Sequence, residues 1–93
     1  MPAIDITVQH PAGLHARPAA KFVRTAAAFQ CEISVSNLSN GGEAVDAKSI
    51  LSVLTLGVNK GNQIHIEAHG DQEDEALQSL ANLIKDNFGE NSG

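Results

Sequence analysis

Apolar and polar positions alternate from Ile4 to Val8, with Asp5 and Thr7 between Ile4, Ile6 and Val8. A period of two predicts a strand with one buried face. His10-Pro11-Ala12-Gly13 interrupts it and predicts a loop. From Ala16 the period changes. Ala19, Phe22, Val23, Ala26 and Phe29 fall on one helical face, in an alanine-rich background that favours a helix. Cys31, Ile33 and Val35 then alternate with Glu32, Ser34 and Ser36 as a second strand. Residues 37–42 carry turn chemistry, and residues 43–47 form a short third strand, which predicts a hairpin. The apolar run at residues 50–56 has the length of a strand or a short helix. Its Ile50/Leu51/Leu54 stripe, with Ser49 as cap and Gly57 as stop, favours the helix. Asn59-Lys60-Gly61-Asn62 is a turn, and Ile64, Ile66 and Ala68 alternate with Gln63, His65, Glu67 and His69 in a fourth strand. Gly70-Asp71 opens the last helix, capped by Asp71 or a neighbour. Glu73, Asp74 and Glu75 sit in its first turn, where the dipole favours acids. Ala76, Leu77, Leu80, Leu83 and Ile84 form its buried face, with Phe88 closing the end.

The element order is therefore β-α-β-β-α-β-α. Four strands with one apolar face need a cover, and three helices are available. The expected fold is α+β: an open-faced β-sandwich with a four-stranded, mostly antiparallel sheet and three helices on one face. One domain over residues 1–88 is expected, followed by a polar tail at residues 89–93 that frays.

Composition narrows the function. The chain has 93 residues, enough for one modest core without disulfide or metal staples. Hydrophobic residues make up 42% but only three are aromatic, so the core is built from Ile, Val, Leu and Ala. A net charge of −5 with so few aromatics argues against a nucleic-acid partner, which needs basic surface and stacking rings. Cys31 is the single cysteine and lies in an alternating apolar run, where a buried thiol is expected; its isolation fits a reducing compartment. No apolar stretch has the length of a membrane span and no signal pattern opens the chain, so a cytoplasmic protein with no membrane insertion is expected.

The chemistry concentrates in Gly13-Leu14-His15-Ala16-Arg17-Pro18 at the start of the first helix. A helix N-terminus favours an anion. Arg17 adds a planar donor suited to phosphate, Pro18 is tolerated in the first turn, and a neutral His15 can act as a nucleophile. The segment places a histidine where a phosphoryl group on its ring is stabilised. The other histidines carry bland expectations: His10 is a loop residue, and His65 and His69 share the polar face of a strand, too far apart for easy metal chelation. Lys21 and Arg24 form a solvated helix face or steer acidic partners by charge. Glu73–Glu75 is a helix-start feature.

The chain resembles the HPr family, the histidine-containing phosphocarriers of the bacterial phosphoenolpyruvate-dependent sugar phosphotransferase system. The resemblance covers nearly the whole length. It includes residues 13–23, Ala47-Lys48-Ser49-Ile50, Thr55-Leu56-Gly57 and the Lys60-Gly61 turn. It implies that His15 accepts a phosphoryl group on Nδ1 from phosphorylated enzyme I and passes it to IIA domains of sugar permeases, with Arg17 neutralising the phosphoryl oxygens. Ser49 matches a serine that a kinase (HPr kinase/phosphorylase) modifies in many Gram-positive relatives. The first two helices share the partner surface, to which Ala16, Ala20, Lys21 and Arg24 contribute on one side and Ile50, Leu51 and Leu54 or Val53 on the other. The implied protein is a carrier that forms a phosphohistidine, with no turnover of its own, no cofactor and no metal; a monomer is expected.

Two features depart from the family pattern. Residues 37–42 form a longer loop, expected to lie away from His15. The segments Lys60-Gly61-Asn62-Gln63-Ile64 and residues 70–77 resemble the nitrogen-branch relative NPr as much as HPr. A nitrogen-branch carrier, a silent regulatory relative and a domain of a larger fused protein therefore stand as alternatives. The intact His15–Arg17 pair speaks against the silent one. A hydrolase lacks a second catalytic group fixed near His15.

Overall fold

The computed structural model describes residues 2–89. Its elements are β1 (Ala3–Thr7), α1 (Ala16–Ala27), β2 (Glu32–Asn37), β3 (Val45–Asp46), α2 (Ile50–Leu54), β4 (Gln63–His69) and α3 (Glu73–Lys85), with a closing 3-10 turn at Asn87–Gly89. The order is the expected one. The strands form one antiparallel sheet in the order β1-β4-β2-β3.

Register follows from the alternation. Ile66 of β4 is opposite Ile4 on one side and Val35 on the other, and Ile64 is opposite Ile6 and Asn37. Ile33, Val35, Ile64, Ile66 and Ala68 thus share the inner face and are buried. A slip of one residue would turn all of them outward, which is why the pattern fixes the pairing. The helices cover this face with Ala19, Phe22 and Ala26 from α1, Val53 from α2, and Ala76, Leu77, Leu80 and Ile84 from α3. Phe22 is fully enclosed, and truncating such a ring costs about 3–5 kcal/mol. Cys31 is buried, as its place in the run predicts.

Local details refine the expected elements. The third strand is two residues long rather than five. Glu43 and Ala44 are exposed, so pairing them would bury nothing, and Asp46 Oδ1 accepts the Lys48 N–H at 2.9 Å and turns the chain away. Such a short edge also resists pairing with another chain. The α2 stripe lies as the resemblance implies: Ile50, Leu51 and Leu54 face solvent, while Val53 and Leu56 enter the core. A five-residue helix is too short for its own periodicity to settle which side faces inward. The last helix is capped by Asp71's neighbour Gln72, in a left-handed conformation (φ 63°) without a side-chain cap bond; Glu73 Oε1 accepts the Gly70 N–H at 3.0 Å. Finally, His10 is a loop residue but a buried one. Its ring meets Phe88 edge-on with centroids 5.7 Å apart, so Phe88 closes the molecule next to the loop that leads to α1. Gly89 belongs to the 3-10 turn, and the rest of the expected tail lies outside the described residues.

Candidate functional site

Residues 10–14 fold into a tight connection that delivers His15 to the start of α1. His10 O accepts the Gly13 N–H at 2.9 Å, and His10 Nδ1 accepts the Ala12 N–H at 3.0 Å. Gly13 has φ +63°, and a Cβ there would lie 2.2 Å from Val58 O and 2.8 Å from Asn59 Cα. Only glycine fits that approach. Leu14 is buried and its N–H donates to Val58 O at 3.0 Å. The chain before His15 is thereby fastened to the chain before Asn59.

His15 is the N-cap residue of α1, with extended backbone (φ −126°, ψ 159°). Its O accepts the Ala19 N–H, while its ring makes no cap hydrogen bond. Ala16 follows at φ +49°, a left-handed conformation that costs an alanine about 1–2 kcal/mol. Pro18, buried in the first turn, gives up an N–H that the helix has no use for. The half-exposed His15 ring points its Nε2 at Asn59 Oδ1, 3.2 Å away. Arg17 is exposed in the same first turn. The site therefore combines an imidazole at a helix N-terminus, the positive end of the dipole and a guanidinium, a combination suited to a phosphoryl group.

The local pattern marks Asn59 as a turn residue, and the structure gives it a partner in the site. The segment that presents it is closed on itself: Asn62 Oδ1 accepts the Asn59 N–H at 2.9 Å and Asn59 O accepts the Asn62 N–H at 3.0 Å. Val8 holds it to β1 with bonds of 2.9 Å from its N–H to Asn62 O and 2.7 Å to its O from the Gly61 N–H. The 37–42 loop, expected to be remote from His15, buttresses the same segment. Asn37, only 1% exposed, donates through Nδ2 to Leu56 O (3.2 Å) and Asn62 Oδ1 (3.4 Å), and Asn40 Nδ2 donates to Leu56 O at 3.0 Å. Two asparagines in a row of turn formers signal a loop; nothing in the local pattern signals what the loop touches.

The remaining predicted residues fall into two groups. On α1, Ala16 and Arg24 are exposed and Ala20 is half-buried. Lys21 is half-buried too, and its Nζ donates to Phe88 O at 2.8 Å, so it ties α1 to the C-terminal turn as well as carrying charge. On α2, Leu51 is 75% exposed and Ile50 and Leu54 flank it on the surface, whereas Val53 is a core residue. α2 packs against α1, which puts this apolar surface beside the helix that His15 begins. Ser49 caps α2 as expected, its Oγ accepting the Ser52 N–H at 3.3 Å.

On the open face of the sheet, His65 places Nδ1 against Asp5 and Nε2 2.9 Å from Glu67 Oε1, and His69 Nε2 lies 3.4 Å from Glu67 Oε2. The hydrogen bond to Asp5, then that to Glu67, raises the His65 pKa. His65, followed by His69, lowers that of Glu67. Among the described residues no group of His, Cys, Asp and Glu has the arrangement of a metal site. None of the helices there is long and apolar enough to cross a membrane.

Comparison with known proteins covers nearly the whole chain. The family described as PTS-HPr, "PTS HPr component phosphorylation site", matches residues 3–86. The chain is 46% identical to phosphocarrier protein HPr of Pseudomonas aeruginosa over 97% of its own length and 98% of that protein's. Among solved structures, HPr-C-His from Thermoanaerobacter tengcongensis superposes with a TM-score of 0.91 at 43% identity, covering 97% of this chain and 98% of the other. A phosphocarrier protein HPr from Bacillus anthracis superposes with a TM-score of 0.82 at 35% identity, covering 88% and 94%.

Proposed function

The chain belongs to the HPr family of phosphocarriers of the phosphotransferase system, and from that membership we propose that His15 is its phosphoryl-accepting residue. Family membership implies interaction with enzyme I and IIA components. The observation that carries the assignment is the position of His15: its backbone caps α1 while its ring stays out of the cap and half-exposed.

In the proposed reaction the Nδ1 lone pair attacks the phosphorus of a phosphohistidine on enzyme I. The new N–P bond forms as the donor's N–P bond breaks, and that electron pair returns to the donor imidazole. The same exchange in reverse delivers the group to a IIA domain. Phosphoryl transfer asks mostly for positioning and charge stabilisation. Arg17 and the α1 N-terminus offset the charge of the phosphoryl oxygens. A dipole contact of this kind contributes roughly 0.3–1 kcal/mol, which steadies a group in transit without trapping it. A carrier needs that balance.

The proposed docking surface joins Ala16, Ala20, Lys21 and Arg24 to Ile50, Leu51 and Leu54. Exposed leucines beside a helix that carries Lys21 and Arg24 suit an apolar centre with an acidic rim on the partner. Ser49 lies at the edge of this surface, and a phosphate there, added by a kinase, would repel such a rim. A cytoplasmic sugar-branch carrier is the assignment we favour, because the relatives compared above carry the name HPr.

Incubation with enzyme I, magnesium and phosphoenolpyruvate, followed by intact-mass measurement without acid, tests the assignment. The expected result is a gain of one phosphoryl group, about 80 Da, lost on acidification and absent in His15→Ala. Labelling that survives His15→Ala would overturn it. Running the sugar and nitrogen forms of enzyme I in parallel assigns the branch.

A further inference from the structure

We propose that Asn59 is a positioning residue for phosphoryl transfer. On this view its side-chain carbonyl holds the His15 ring in the tautomer that leaves Nδ1 unprotonated, and the Asn37–Asn62 network holds Asn59 in place. The inference rests on His15 being the phosphoacceptor and adds what prepares it to react.

A neutral imidazole carries its proton on one nitrogen only. Asn59 Oδ1 is an acceptor, so the 3.2 Å contact with Nε2 is a hydrogen bond only when Nε2 carries the proton. The lone pair then resides on Nδ1, the atom that attacks. The contact also persists through the reaction. When Nδ1 takes the phosphoryl group, the Nε2 proton stays on a ring that has become cationic. Asn59 then accepts a charge-assisted bond, stronger than the bond to the neutral ring. That bond keeps the ring protonated, the form in which imidazole leaves phosphorus readily. One carbonyl thus serves both halves of the carrier's cycle.

Such a device works only if the carbonyl cannot drift. Asn59 is exposed, and its side chain is presented by a four-residue turn, so the turn must be rigid. Asn62 supplies the rigidity. Its Oδ1 receives both the Asn59 N–H and the Asn37 Nδ2, and its backbone is paired with Val8. Asn37 is a buried amide at the end of β2 that spends both ends of its side chain on this region: Nδ2 on Leu56 O and Asn62 Oδ1, and Oδ1 on the Ser39 N–H at 2.9 Å. A buried polar network of this kind is retained where it specifies geometry, since an apolar side chain would fill the same space at lower desolvation cost. The chain runs from the sheet through Asn37, Asn62 and Asn59 to His15.

The test compares wild type with Asn59→Ala and Asn59→Asp, both changes at an exposed side chain. Nitrogen-15 NMR of the neutral His15 ring reads the tautomer directly, and enzyme I with phosphoenolpyruvate reads acceptance. Wild type should show the proton on Nε2 almost exclusively. Asn59→Ala should relax the ratio toward that of histidine in a free peptide and slow acceptance about tenfold, the worth of one hydrogen bond. Asn59→Asp keeps an acceptor at the same place and should restore the Nε2–H tautomer. An unchanged tautomer ratio in Asn59→Ala, or a wild-type proton on Nδ1, overturns the inference while leaving His15 as the phosphoacceptor. Persistent labelling of His15→Ala removes the premise instead.

Discussion

His15 Nε2 and Asn59 Oδ1 meet at 3.2 Å although 44 residues separate them in the chain. The two residues come from different loops, one opening α1 and one preceding β4. What brings the loops together is backbone: Leu14 N–H on Val58 O, and the bare Cα of Gly13 against the same peptide. The site is assembled where two connections touch, and its rigidity depends on both.

Gly13→Ala tests that dependence. The new methyl would fall 2.2 Å from a backbone oxygen at a positive φ, so the loops must part. A loss of roughly 2–4 kcal/mol in urea unfolding is expected. Phosphoryl acceptance should fall at temperatures where the variant is still folded.

Asn37→Ala removes a buried amide, takes one donor from Leu56 O and Asn62 Oδ1, and leaves the Ser39 N–H without its acceptor. The expected cost is about 1–3 kcal/mol of stability. In the folded variant, acceptance should slow as it does in Asn59→Ala, because the turn that aims Asn59 loses its brace. Kinetics indistinguishable from wild type would confine Asn37 to a structural role.

The apolar surface of α2 is tested by Leu51→Ala. Leu51 is 75% exposed, so stability should change by less than about 0.5 kcal/mol. Binding to enzyme I, measured by titration calorimetry, should weaken by about tenfold. Val53→Ala, a core change in the same helix, should do the opposite: about 1–2 kcal/mol of stability lost with little direct effect on the interface.

Ser49→Asp keeps a capping acceptor at α2, so folding should be close to wild type. The added charge sits beside Ile50 and Leu51, and transfer from enzyme I should slow. Unchanged transfer would remove Ser49 from regulation.

The histidine on the open face carries a pH prediction. Both His65 nitrogens face carboxylates, and only the imidazolium donates to both. Its pKa is raised above 6.5, so its contribution is full below that value and fades as pH rises through the raised one. Glu67 is shifted down from 4.5, so its contribution is present above that value and fades as pH falls through the lowered one. The contact is strongest between about 4.5 and 6.5. The urea midpoints of wild type and His65→Gln should differ most in that window and converge toward alkaline pH.

Much of this was legible in the sequence. The alternation of Ile4, Ile6, Ile64 and Ile66 gave the inner face of the sheet, because side chains of a strand point to opposite sides by stereochemistry alone. The α1 stripe, the Ser49 cap and the phosphate-suited segment around His15 and Arg17 were legible for the same reason: each depends on residues within a turn or two of one another. The outward direction of Ile50, Leu51 and Leu54 came from the resemblance rather than from periodicity, since a single short helix shows an apolar stripe whether it meets the core or a partner.

What only the tertiary structure decided is which residues meet across the chain. Asn59 beside His15, Asn37 beneath Asn62, Lys21 on the Phe88 carbonyl and His10 against its ring all join segments distant in sequence. An asparagine in a turn satisfies every local rule whatever it faces. Its partner is set by how the loops close over a packed core, and that depends on the whole chain at once.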